Sequence, residues 1–161
     1  MTQAIAETEI QEFLAKHLAE VFSTMLSLPT AASTQPALTG APERVSGSVG
    51  FVGESVTGAV YLHVPAPFAT RITCAMLGLP EGETPGDADV NDVMGEVTNM
   101  VAGGLKSWLC DSGAACALTT PAIIRGSSFH ILASEGVSQI RFAFTSGADG
   151  GLLEVHIKFT N

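Results

Sequence analysis

The longest periodic stretch of the chain runs over residues 90–110, and two kinds of side chain sort onto opposite sides of it. At about 3.6 residues per turn, Asp92, Glu96, Asn99, Gly103 and Lys106 fall within roughly 40° of one line. Met94, Val97, Val101, Leu105 and Trp108 cluster about the opposite line. The apolar stripe is expected to pack inward, so the carboxylates, the amide and the lysine face outward. A charged helix surface is by default merely solvated. Two details ask for more. Asn is a mediocre helix former because its amide competes for backbone hydrogen bonds, and Gly103 and Gly104 each cost about 1 kcal/mol relative to alanine. A helix selected for stability alone would carry none of the three. Gly103 lies one turn beyond Asn99 on the outward line, so its missing side chain leaves a bare patch onto which another macromolecule's backbone can settle. Gly104, nearer the inward side, suits close packing. Chemistry on such a face acts on something outside this chain.

Other constellations carry less. His17, His63, His130 and His156 are scattered without a His-x3-His or His/Cys pairing, so a zinc site is not expected. Gly47, Gly50 and Gly53 have neither the dinucleotide nor the P-loop spacing, and strands rather than a helix follow them, so they belong to a hairpin. There is no Gly-x-Ser-x-Gly elbow. Cys110 ends an apolar helix without a sequence-local activating partner, which predicts a buried structural thiol. Trp108 and the phenylalanines are expected in the core.

The elements that must hold the outward face follow from periodicity. Residues 7–28 place Ile10, Leu14, Leu18, Val21 and Met25 at helical spacing, and Pro29 stops that helix. Residues 30–44 read as a loop. Residues 46–53 and 58–64 flank a short turn as a hairpin. A second helix over residues 65–78 opens on proline and places Phe68, Ile72, Met76 and Leu77 on one face. An acidic loop, residues 80–89, precedes the third helix. Beyond Asp111, residues 117–124, 127–133, 137–145 and 152–159 read as strands, paired most simply as a meander.

These elements fill one domain spanning residues 1–161. With 46% hydrophobic residues the chain can build a real core, and a net charge of -9 has the wrong sign for a phosphate backbone or an anionic membrane. Neither nucleic acid nor a membrane is expected as partner. Three cysteines without a CxxC pair, and an N-terminus lacking a basic and then an apolar region, predict an unexported protein in a reducing cytoplasm.

Glu20-Val-Phe-Ser-Thr-Met25 in the first helix echoes Glu96-Val-Thr-Asn-Met100 in the third, and each helix leads through a loop to hairpin-forming strands. The second copy offers Asn99 where the first offers Ser23. Asp92-x3-Glu96-x2-Asn99, followed by Pro121 after a further strand, resembles the signature of the CheX/CheC/FliY chemotaxis phosphatases. Residues 19–26 are similar to the first helix of that family. Residues 47–53 with 58–62 are similar to its first hairpin, and Asn99-Met-Val-Ala-Gly-Gly104 to its active helix. Because Glu20 is followed by Ser23, a single site is expected, as in the CheX-like branch.

The resemblance implies an α/β (α+β) fold with an antiparallel sheet covered by long helices and built from two related halves. It implies a substrate in another protein: the aspartyl phosphate of a CheY-like response regulator. The receiver supplies its own divalent metal (Mg) and lysine, so this chain needs no cofactor. Phosphoryl transfer to water then chiefly needs an aligned nucleophile, and a neutral amide orients water without adding charge. Asn99 takes that role by resemblance, with Glu96 pairing the receiver lysine and fixing the docking register. Asp92, Gly103, Lys106 and Pro121 are expected to contact the partner. A homodimer joined through sheet edges is also implied. The competing readings are a non-catalytic receiver-binding module of the flagellar-switch type, and a small-ligand site between helix and sheet.

Overall fold

In a computed structural model, residues 5–34, 38, 43–80 and 82–160 are described. The first four residues and most of residues 35–42, where part of a loop is expected, lie outside them. The elements are α1 (Glu7–Leu26), β1 (Ala31–Ala32), β2 (Arg44–Val52), β3 (Val56–Pro65), α2 (Ala66–Leu77), α3 (Asp87–Asp111), β4 (Ala117–Leu118), β5 (Ala122–Gly126), β6 (Ser138–Ser146) and β7 (Asp149–Phe159).

The helices form where periodicity places them. In α1, Ile10, Leu14, Leu18 and Val21 are buried as expected and Phe22 and Leu26 join them, whereas Met25 is exposed. The helix closes before Pro29, at Ser27, whose left-handed φ of 54° lets Leu28 N–H donate to the Phe22 carbonyl at 3.0 Å. α2 buries Phe68, Ala69 and Ile72 and ends on Gly78 at φ 67°, leaving Leu77, expected inward, exposed.

All strands belong to one antiparallel sheet ordered β1-β6-β7-β3-β2-β4, with β5 also on β2. This is not the expected meander. Pro121, which has no N–H to donate, divides the expected strand 117–124 into β4 and β5, and both pair with β2 from the first half of the chain. Residues 127–133, read as a strand, form none. They carry Phe129 over the sheet instead, with its ring 6.2 Å from that of His63 and 4.0 Å beneath the Arg44 guanidinium.

The duplication is visible in this pairing. α1 leads to β1, which adds to β6 of the other half, and then to the hairpin β2–β3. α3 leads to β4 and β5, which add to β2 of the other half, and then to the hairpin β6–β7. The two hairpins join at the centre through β3 and β7. α2 follows the first hairpin, and no helix follows the second among the described residues.

One sheet face carries Val45, Val49, Val60, Leu62, Leu153, Val155 and Phe144 into the core beneath the helices. The alternate residues build a polar network on the other face. Glu154 Oε1 accepts from His63 Nε2 at 3.1 Å, and Oε2 accepts from His156 Nε2 at 3.1 Å, from Arg141 Nε at 3.3 Å and from Gln139. Ser46 Oγ meets His63 Nδ1 at 2.7 Å. Burial alone would raise the Glu154 carboxyl, but hydrogen bonds from His63, Gln139 and His156, together with the His63 charge, outweigh it and hold the group at about 2. A folded value below the unfolded one stabilises the native state at neutral pH. That contribution disappears as pH falls from about 4.5 towards about 2. Wild type should therefore lose Tm faster through this window than Glu154→Gln, and equal slopes in an acid melting series would refute the assignment.

Among the described residues, no helix is long and apolar enough to cross a membrane.

Candidate functional site

α3 is seated by three close contacts, each made by a small residue or an anchoring arginine. Gly47 on β2 faces the middle of the helix, where an added Cβ would overlap the Thr98 hydroxyl. Thr98 itself is buried and donates to the Met94 carbonyl at 2.7 Å. Gly104 meets α1, where a Cβ would overlap the His17 ring, and His17 Nε2 is held 3.1 Å from the Met100 carbonyl. At the N-terminal end, Arg125 of β5 donates from Nε to Asn91 Oδ1 at 2.9 Å and lies 3.6 Å from Glu43 and 3.8 Å from Asp87.

This seating turns the expected face outward. Met94, Val97, Val101 and Leu105 are fully buried, while Asp92 and Glu96 are exposed and Asn99 is half-buried on the same line. Among the described residues, no hydrogen bond or ion pair holds the Glu96 carboxylate or the Asn99 amide. A Cβ at Gly103 would meet nothing within 4 Å, so the bare patch beyond Asn99 is open. Lys106 is half-buried further along. Trp108, assigned to the inward stripe, is only half-buried and stacks on Phe13 at 5.3 Å. Pro121 comes beside the helix, 3.5 Å from where a Gly95 Cβ would sit. Gly95 is buried next to Glu96, so the Pro121 ring borders one flank of the outward line. The corresponding positions of α1, Glu20 and Ser23, are both exposed.

A carboxylate, an unengaged amide and a bare glycine lie along one outward line of α3. They do not enclose a substrate. An open groove of about 490 Å³ does lie between α1 and α3, lined by Ile5, Glu9, Glu12, Phe13, Lys16, Trp108 and Ser112. It lies between helices, not between helix and sheet. Among the described residues, no group of three or more His, Cys, Asp or Glu side chains is placed to hold a metal ion.

The family model described as chemotaxis phosphatase CheX matches residues 45–145, which include all of α3 and β5. The chain belongs to the CheX family. The chemotaxis protein CheX of Vibrio vulnificus is 30% identical with a TM-score of 0.78, over 96% of this chain and 100% of that one. A CheC-like superfamily protein from a Shewanella species is 26% identical with a TM-score of 0.76, over 91% and 96% of the two chains. A CheX–CheY–BeF3–Mg2+ complex from Borrelia burgdorferi matches at 21% identity and a TM-score of 0.65, over 93% and 97%, which shows the shared fold. No curated protein sequence matches the chain.

Three supports of the ridge have only faint sequence signals. Gly47 sits in a strand where a glycine weakens β-structure, and Thr98 breaks the inward apolar run of α3. Arg125 lies far in sequence from Asn91, and nothing local joins them. The Cys110 thiol, expected in the core, is instead half-buried.

Proposed function

We propose that this CheX-family chain is a phosphatase that hydrolyses the aspartyl phosphate of a CheY-like response regulator by inserting the α3 ridge into the receiver's active site. The observation that carries this reading is that Glu96 and Asn99 project together from one line of α3 and have no partner among the described residues. The solved CheX–CheY complex supports a receiver as the substrate-bearing partner.

In the proposed reaction, the Asn99 amide accepts a hydrogen bond from the attacking water and holds it in line with the breaking bond between phosphorus and the aspartyl oxygen. Being neutral, the amide adds no repulsion to the phosphoryl oxygens. Glu96, nearly one turn earlier, pairs with the receiver's lysine and sets the docking register. The divalent metal (Mg) belongs to the receiver. Gly103 lets the two backbones approach, with Asp92, Lys106 and Pro121 around the rim. A cytoplasmic homodimer joined through sheet edges completes the reading.

The direct test mixes the protein with phosphorylated CheY-like receivers and follows phosphate release; no acceleration over the receivers' own decay would refute it. Glu96→Lys should weaken receiver binding at least tenfold by placing like charges together, with an unchanged Tm because Glu96 is exposed and unpaired. Binding isotherms that overlay wild type would remove Glu96 from the interface.

A further inference from the structure

The open groove between α1 and α3 lies away from the Glu96 and Asn99 side chains. Trp108 on its wall is twelve positions beyond Glu96, about 18 Å further along the helix axis. Here α1 sets aromatic rings against α3. His17, seated over Gly104, stacks on Phe13 at 5.5 Å and 11°, and Phe13 stacks on Trp108 at 5.3 Å and 15°. Phe13 and Trp108 both line the groove and are half-buried. The charge beside them is mostly negative. Glu9 and Glu12 line the groove from α1, with Glu9 Oε2 accepting from the Ala6 N–H at 3.2 Å. Glu12 is exposed, and among the described residues no hydrogen bond or ion pair engages its carboxylate. Lys16, one turn further along α1, is the single ammonium on the lining among those residues, and no ion pair joins it to Glu12. Two helix ends also meet here. The amide end of α1 is answered by Glu7 and Glu9, whereas α3 ends at Asp111 with no basic residue in its last turn, so its carbonyl end stays uncompensated.

We propose that this groove docks an arginine side chain of a partner protein, with the guanidinium plane on the Trp108 indole and its N–H donors on the Glu12 carboxylate. This inference is independent of the phosphatase reading. A guanidinium is planar, weakly hydrated and permanently charged, so it stacks on an aromatic face and bonds a carboxylate in the same pose. An ammonium makes only a point contact with either. An incoming carboxylate or phosphate would meet Glu9, Glu12 and the carbonyl end of α3. A purely apolar side chain would take water from Glu12 without replacing its hydrogen bonds. The groove volume of about 490 Å³ is of the size that takes a drug-sized ligand, which leaves room for the arginine and a neighbouring residue. Ile5 and Phe13 give that neighbour an apolar lining. The net charge of -9 draws a basic segment towards the surface, and the aromatic pair selects arginine at this position.

Trp108 is the only tryptophan of the chain, so its fluorescence reports on the groove directly. The test titrates the full chain with the peptide acetyl-Leu-Arg-Leu-amide and with its citrulline counterpart, which keeps the shape and lacks the charge. The expected result is a saturable change in Trp108 emission with the arginine peptide and at least tenfold weaker binding of the citrulline one. Glu12→Gln should weaken the arginine peptide at least fivefold with an unchanged Tm, because Glu12 is exposed. Glu54→Gln removes the same charge from the exposed turn between β2 and β3 and should stay within twofold of wild type. Trp108→Leu, followed by calorimetry, should weaken binding at least fivefold. The absence of a saturable change, equal binding of the citrulline or a lysine peptide, or equal losses in Glu12→Gln and Glu54→Gln would each overturn the proposal.

Discussion

Alanine in place of Asn99 should slow phosphate loss from a phosphorylated CheY-like receiver by about a hundredfold relative to wild type, about 2.7 kcal/mol in barrier. Receiver affinity should stay within about twofold, since the anchoring charge is that of Glu96. Tm should hold or rise slightly, because alanine is the better helix former and no hydrogen bond among the described residues engages the Asn99 amide. Asn99→Asp sharpens the test. It preserves the shape but places a negative charge against the phosphoryl oxygens, so it should be at least as slow as the alanine variant. Single-turnover rates measured at saturating protein separate these effects from docking. If Asn99→Ala hydrolyses as fast as wild type, the ridge binds the receiver without acting on it, as a flagellar-switch type module would.

The face of α3 was legible because a helix converts sequence spacing directly into direction. Glu96 and Asn99 lie three positions apart and must share a side, and the buried Val97, Val101 and Leu105 determine which side that is. The hairpin of β2 and β3 was legible for a similar local reason: its alternating residues flank a turn closed by Gly53 N–H on the Val56 carbonyl. What could not be read is non-local. Strands β4 and β5 return to β2, 65–82 residues back along the chain, and their pairing competes on equal terms with a simple meander until tertiary packing decides. Residues 127–133 are apolar enough for a strand, yet Phe129 is used on the far side of the sheet, beside His63 and beneath the Arg44 guanidinium. The Glu154 network draws on Ser46, His63, Gln139, Arg141 and His156, which no short motif links. Four scattered histidines therefore looked ordinary, although two of them hold a buried carboxylate. Cys110, expected to be buried, is half-buried in the last turn of α3.

A single methyl group added at Gly47 should damage the protein more than most surface replacements, because α3 rests on that position. An ideal Cβ there would overlap the Thr98 hydroxyl, lie 2.8 Å from Thr98 Cβ and stand 3.1 Å from the Met94 carbonyl oxygen. Thr98 cannot swing aside without giving up its buried bond to that carbonyl, so the helix must lift from the sheet. Close-packed cores resist such a shift, and Gly47→Ala should cost about 3 kcal/mol, or about ten degrees of Tm for a domain of this size. Thr98→Ala removes the overlapping hydroxyl and one hydrogen bond, about 1 kcal/mol by itself. The double variant should therefore be less destabilised than the sum of the single ones, a coupling that two unrelated defects would not show. Asn99 directly follows Thr98, so lifting the helix also displaces the proposed water-orienting amide. Receiver dephosphorylation by folded Gly47→Ala should fall, and recover in part with Thr98→Ala. A Gly47→Ala protein melting within a degree of wild type would show that α3 can yield at this point, and the seating that aims the ridge would have to come from Gly104 and Arg125 instead.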